Sequence, residues 1–224
     1  MTYRLILIVV ICGMSGIPAS GFAFSLPGIL SAIVTVDSSE QHRHYQRVQD
    51  RVSAWKALIA ESENSSDRQK LSKVNRFFNR IDFVEDKVQW GVEDYWASPR
   101  EFLRQNAGDC EDYAIAKYFT LKAMGVSEDR LRITYVSMLP SGQAHMVLVY
   151  LENESKTALV LDNMQGEIEA FVERQDLDPV YSFNRNGLWI ANRDSAKDEI
   201  VAGGVGQIRH WQALTAKMAG ERTL

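Results

Sequence analysis

Cysteine is nearly missing from this chain of 224 residues, which carries Cys12 and Cys110 and no other. A small fold stapled by disulfides is therefore excluded. Positive charge is not in excess either, since 25 Lys and Arg stand against 29 Asp and Glu for a net charge of −4. That balance gives no electrostatic footprint for a polyanion, so nucleic acid is not an expected partner. There is no internal repeat and no low-complexity tract, which excludes solenoids and arrays. No EF-hand loop occurs anywhere. What remains is a chain 46% hydrophobic, long enough for a single domain with a substantial core.

The one strongly apolar run lies at the start. Arg4 precedes Leu5-Ile6-Leu7-Ile8-Val9-Val10-Ile11-Cys12, and small or turn-forming residues follow through Ser20. Gly13, Gly16 and Pro18 cut the run short of the roughly 20 residues that span a bilayer. Gly21-Phe22-Ala23 offers a small-x-small cleavage site. Residues 1–23 therefore read as a secretory signal peptide, with export to the periplasm. A lipid anchor on Cys12 is disfavoured because Ile11 is bulky where a small residue is needed. Cleavage leaves one domain over 24–224 with Cys110 as its sole cysteine. In an oxidising compartment such a cysteine has no partner within its own chain, which favours a reactive role over a structural one.

Residues 24–40 form an N-terminal arm. Tyr45, Val48, Val52, Trp55, Leu58 and Ile59 mark an amphipathic helix from about Gln46 to Ala60. Asp67 is placed to cap the next helix, whose stripe is Leu71, Val74, Phe77, Phe78 and Ile81. The segment 82–98 is irregular, and its Trp90, Tyr95 and Trp96 suit either a cleft wall or ordinary core. Pro99 fits the first turn of a short helix through Leu103. A further helix runs from Cys110 to Met124, with Gly125 as a left-handed cap. The period then changes to two. Strands are expected at 131–136, 144–151 and 157–162, near 168–172 and around 188–191. Ile208, Trp211, Leu214 and Met218 predict a C-terminal helix. Helices first and an antiparallel sheet afterwards is an α+β layout.

Within this order Cys110 opens a helix, where the macrodipole favours a thiolate. His145 heads one strand and Asp162 ends another. Nucleophile, base and orienter on separate elements is the logic of cysteine hydrolases. A hairpin centred between Asn153 and Glu154 sets position 145 opposite 162, on one face. His42, His44 and His210 lack such a context. Around the cysteine, Asp109, Glu111 and Asp112 crowd negative charge. They suit capping of the helix start, and equally a hard-oxygen site for calcium.

Gly108-Asp109-Cys110-Glu111-Asp112-Tyr113-Ala114, then Ala144-His145-Met146-Val147-Leu148 and Leu161-Asp162-Asn163, together resemble the bacterial transglutaminase-like cysteine proteinases of the LapG type. The resemblance implies a papain-like, transglutaminase-like core with N-terminal helices packed on an antiparallel sheet. It implies a Cys110, His145, Asp162 triad and Ca2+ held by acids beside the cysteine, here Asp109, Glu111 and Asp112. It also implies a periplasmic endopeptidase that cuts a large surface adhesin near its N-terminus, at a di-alanine site, to promote biofilm dispersal. The implied regulator is an inner-membrane cyclic-di-GMP receptor whose periplasmic domain sequesters the protease. Acyl transfer to an amine by the same thioester, and a non-catalytic calcium-responsive module, are the competing expectations.

Overall fold

A computed structural model of the chain describes residues 38–152, 157–193 and 198–221. The expected signal peptide, the N-terminal arm up to residue 37, and the hairpin centre at Asn153-Glu154 lie outside the described residues. Among the described residues no helix is long and apolar enough to cross a membrane.

Helix α1 spans Ser38–Ala60 and starts well before the expected Gln46. Its Val48 is buried, while Val52, Trp55, Leu58 and Ile59 pack against the main core. Helix α2, Asp67–Phe78, is capped by Ser66 rather than by Asp67. Ser66 Oγ accepts from the Gln69 N–H, and the Gln69 side chain accepts in return from the Ser66 N–H. This reciprocal box satisfies two N–H groups the helix leaves open. Asp67 instead accepts hydrogen bonds from Arg130 and the Tyr150 hydroxyl, each at 2.7 Å.

The irregular segment contains more order than its pattern suggested. Strand β1, Asp82–Phe83, pairs in parallel with β2, Ala107–Gly108. Between them lie the single turn α3, Asp86–Gln89, and α4, Pro99–Gln105, which starts with Pro99 behind a Ser98 cap as expected. The ladder is short, but it fixes where the chain enters the next helix.

That helix, α5, is Cys110–Ala123. Tyr113, Ala114, Ile115, Ala116, Tyr118 and Leu121 are all buried, so apolar groups surround most of its circumference. A helix apolar all round belongs in the middle of a core. Gly125 closes it at φ +84°, the left-handed conformation foreseen for that residue.

The sheet that follows has seven antiparallel strands. Four are β3 (Leu131–Met138), β4 (Gln143–Leu151), β5 (Ala158–Leu161) and β6 (Glu169–Ala170). The others are β7 (Leu177–Phe183), β8 (Leu188–Ile190) and β9 (Glu199–Ile200). Their spatial order is β6-β5-β4-β3-β7-β8-β9. Ile133, Met146, Leu148, Leu161 and Phe183 share the main core with α2, α5 and the last helix, α6 (Arg209–Glu221). Val136, Val147, Val149, Val160 and Leu177 form a second cluster with Phe171. The architecture is thus α+β with helices on an antiparallel sheet.

Two details depart from the sequence reading. Strand β7 was not expected, because Asp178 and Pro179 interrupt its pattern; Pro179 sits at a register shift against Val136, where a missing N–H is tolerated. The strand near 168–172 shrinks to two residues and a 3-10 turn at Phe171–Glu173.

Gly108 shows how tightly the start of α5 is packed. A Cβ there would lie 2.3 Å from Asp112 Oδ2 and 2.8 Å from the Phe102 ring. Overpacking of that kind costs about 1–3 kcal/mol. Gly108→Ala is expected to lower the thermal midpoint by several degrees in calorimetry; an unchanged midpoint would show that the site has slack.

Candidate active site

Cys110 is the first residue of α5, and the backbone N–H of Met146 on β4 is near enough to lower the pKa of its thiol. The residue next to Met146 is His145, so the thiol lies against the strand segment that carries the imidazole. His145 is buried, and its Nε2 meets Asp162 Oδ1 at 2.9 Å. A carboxylate acceptor there sets Nε2 as the protonated nitrogen and leaves Nδ1 as the lone-pair base.

The register that joins these two residues differs from the one expected. Strand β4 pairs with β5 through Leu148–Leu161 and Val149–Val160. Continued, this sets position 162 beside Val147 and not beside His145. The slip is by two residues, and two is the side-chain period of a strand, so both groups keep the same face. They meet as diagonal neighbours, within reach of an imidazole.

Asp162 is 1% exposed and held from several sides. Its Oδ1 also accepts from the Met164 N–H at 2.9 Å, and its Oδ2 accepts from Arg174 Nη2 at 2.8 Å. Burial pushes its pKa up, but the bonds from His145, Met164 and Arg174 outweigh burial and hold the carboxyl well below the usual range.

The surroundings of Cys110 have the opposite sign. The Sγ lies 3.1 Å from Glu111 Oε2. Burial, the Glu111 carboxylate and Asp109 push the thiol far above its ordinary pKa, against a smaller lowering by the Met146 N–H. Asp109 sits at the cap position of α5, yet its side chain makes no capping bond. It turns to Asp86 instead, and Asp109 Oδ2 accepts from the Asp86 N–H at 3.3 Å.

Asp86, Asp109 and Glu111 each bring a carboxylate oxygen within 4.8 Å of the others. Asp86 comes from α3, and the β1–β2 ladder is what lays that turn beside Asp109. Burial and the neighbouring carboxylates push Asp109 up to about 9. Burial, foremost, also raises Asp86 and Glu111. Asp86 Oδ1 and Asp109 Oδ1 are buried without a hydrogen-bond partner. Three crowded carboxylates with open lone pairs are a donor set that fits a hard divalent cation.

Asp112 stands apart from this trio. It is fully buried and its Oδ1 accepts from the Ala97 N–H at 2.8 Å, bracing the segment before α4, while its Oδ2 is buried without a hydrogen-bond partner. Asp86 was missed in the sequence because it lies 23 positions before Asp109 in an aperiodic segment. No spacing rule links the two; only the two-residue parallel ladder does.

The chain belongs to the bacterial transglutaminase-like cysteine proteinases (BTLCP), whose family profile matches residues 39–185. Among solved structures it is similar to Legionella pneumophila LapG, at 41% identity over 76% of this chain and 89% of that one, with a TM-score of 0.66. A calcium-bound form of Legionella LapG matches at 39% identity over 80% of this chain and 96% of that one, with a TM-score of 0.68. An EGTA-treated form matches at 41% identity with a TM-score of 0.68, covering 76% and 89%. Among curated proteins no significant match was found. The chain is accordingly a LapG-like member of a cysteine proteinase family.

One buried charge near this site has no bonding partner. Lys117 on α5 is fully buried, its Nζ donates to no acceptor among the described residues, and it lies 5.8 Å from the Tyr113 ring centroid. Burial lowers its pKa to about 7, with Asp162 pulling weakly the other way. A lysine lowered from 10.5 takes up a proton on unfolding at intermediate pH. Its burial therefore costs little above pH 10.5 and progressively more as pH falls toward 7. Lys117→Met should stabilise the protein by a few kcal/mol at pH 7 and much less at pH 10. Denaturant titrations of both proteins at the two pH values check this; an equal difference at both would refute it.

Proposed function

We propose that this protein is a periplasmic, calcium-dependent cysteine endopeptidase in which Cys110, His145 and Asp162 act as nucleophile, base and orienter. The observation that carries the reading is the buried His145–Asp162 pair at 2.9 Å, in a chain whose family is one of cysteine proteinases and whose one described cysteine opens α5.

The roles follow from the chemistry of the three side chains. Nδ1 of His145 takes the Cys110 proton as the sulfur bonds to the scissile carbonyl carbon and the carbonyl π pair moves onto oxygen. The Cys110 backbone N–H, in the first turn of α5, has no acceptor within the helix and donates to that oxyanion. The C–N bond then breaks, and the imidazolium returns its proton to the leaving amine. A water, deprotonated by His145, attacks the thioester and restores the thiol. Asp162 keeps Nε2 protonated throughout and stabilises the imidazolium.

Asp86, Asp109 and Glu111 would hold the calcium ion, which supplies positive charge beside an otherwise acidic nucleophile. The LapG forms with calcium and after EGTA treatment support that assignment by similarity. The substrate we infer is a large surface adhesin, cut in its N-terminal region at a paired-alanine site, with release of the adhesin and biofilm dispersal. An inner-membrane cyclic-di-GMP receptor that sequesters the protease is the inferred regulator.

Incubation with an adhesin N-terminal fragment tests the reading. The wild-type protein should cut it, while Cys110→Ala and His145→Ala should lose cleavage by several orders of magnitude with unchanged circular dichroism. Asp162→Asn should be folded and strongly impaired. Wild-type cleavage by Cys110→Ala would overturn the assignment, and capture of an added amine would point to acyl transfer instead.

Calcium dependence has its own readout. EGTA should abolish cleavage reversibly, and calcium should restore it better than magnesium, which demands a tighter octahedral shell. By titration calorimetry, Asp86→Ala, Asp109→Ala and Glu111→Ala should lose calcium binding, whereas Asp112→Asn should retain it. Absence of binding to the wild-type protein would leave the three acids without this role.

A further inference from the structure

Asp162 lies just past the end of β5, where a strand no longer holds the backbone. Its place is nevertheless determined from two directions that the sequence did not announce. Arg174, only 4% exposed, follows the 3-10 turn after β6 and donates Nη2 to Asp162 Oδ2 at 2.8 Å. The same guanidinium is gripped by Asp176, with Nε to Oδ1 at 2.9 Å and Nη2 to Oδ2 at 2.7 Å. From the other side, Asn79 at the C-terminus of α2 donates Nδ2 to the Asp162 carbonyl at 2.7 Å. One turn earlier on α2, Asn75 donates Nδ2 to the Gly166 carbonyl at 2.9 Å. Two amides of one helix thus hold both ends of the loop 162–166.

We propose that Arg174 and Asn79 are positioning residues of the active site, which fix the Asp162 carboxylate so that Oδ1 alone faces His145 Nε2. The inference rests on the reading of Cys110, His145 and Asp162 given above. A carboxylate beyond a strand end can rotate about its side-chain bonds and offer either oxygen. With Oδ2 bound to Arg174 and the backbone bound to Asn79, one orientation survives. A lone guanidinium there would also oppose the imidazolium by like-charge repulsion. Asp176 balances that charge, so Arg174 orients Asp162 without adding a net positive charge beside the imidazole. The charged groups around the imidazole are then Asp162 and Arg174, Asp176 behind them, and Lys117 on α5, which interacts with Asp162.

The test uses the full chain, calcium-loaded, on an adhesin N-terminal fragment, together with NMR of the His145 imidazole in a Cys110→Ala background. Arg174→Gln and Asn79→Ala should lower kcat by roughly 10- to 100-fold with KM little changed, the usual cost of losing an outer hydrogen-bond partner. Arg174→Lys, which keeps the charge and one bond, should recover part of that loss. In the NMR arm, the hydrogen-bonded Nε2 proton of His145 should move upfield or broaden in Arg174→Gln and Asn79→Ala. Asp176→Asn, which loosens the grip on the Arg174 guanidinium, should lower kcat by a smaller factor than Arg174→Gln. If Arg174→Gln fails to fold, Arg174→Lys and Asp176→Asn carry the same test. Wild-type kcat and an unmoved Nε2 proton in these variants would overturn the positioning role, provided Cys110→Ala is inactive. Cleavage by Cys110→Ala would instead bring down the underlying triad, so the two failures are distinguishable.

Discussion

The burial of α5 is the constraint from which the rest of the site follows. Its apolar groups face α2, β3, β4 and α6 at once, so the helix has no freedom to shift or rotate. Its N-terminus is consequently pinned at the edge of the core, and with it Cys110, Asp109 and Glu111. A helix dipole welcomes acidic residues at that end. Here burial works against them, because desolvation raises each carboxyl more than the dipole offsets. The fold thus holds an unfavourable concentration of acids in place by packing elsewhere, which is how a functional site stores a cost that the core offsets.

The two halves of the site are electrostatically unlike. Asp162 is surrounded by donors and cations, namely His145, Arg174 and the Met164 N–H, and its carboxylate is strongly stabilised. Cys110 is surrounded by acids and its thiolate is strongly disfavoured. A buried carboxylate left without such partners would cost several kcal/mol, and both oxygens of Asp162 are hydrogen-bonded. On the Cys110 side, Asp86 Oδ1, Asp109 Oδ1 and Asp112 Oδ2 remain without hydrogen-bond partners.

Much of this could be read from the residues. Cys110 opening a helix followed by apolar residues, Gly125 ending it, and the period-two runs of β3, β4 and β5 are local signals, and local signals survive folding. The His145–Asp162 contact was legible for a subtler reason. The expected register was off by two residues, yet a slip of two preserves the face, so the conclusion outlived its premise. What escaped was non-local or aperiodic. Asp86 reaches Asp109 only through a two-residue parallel ladder. Strand β7 hides its pattern behind Pro179 at a bulge. Arg174 and Asn79 carry no spacing that ties them to Asp162, and Asp67 looked like a cap until Ser66 took that role.

The asymmetry of the site bears on how the proposed enzyme would be controlled. A thiolate–imidazolium pair needs both partners to tolerate charge, and beside the imidazole Asp162 is a firmly ionised counter-charge. There Asp162, Arg174 and Asp176 are paired with one another, while Lys117 has no hydrogen-bond partner among the described residues. The acidic side is the variable one, because its charge is uncompensated by any group of the described chain within the trio. A divalent cation held there would act at close range in a poorly screened, largely buried site, where a charge exerts far more than in water. On this reading the base and its orienter are a constant built into the sheet and its loops. The nucleophile is the adjustable element, and α3, carrying Asp86 on a single exposed turn, is the means by which a distant segment of the chain takes part in adjusting it.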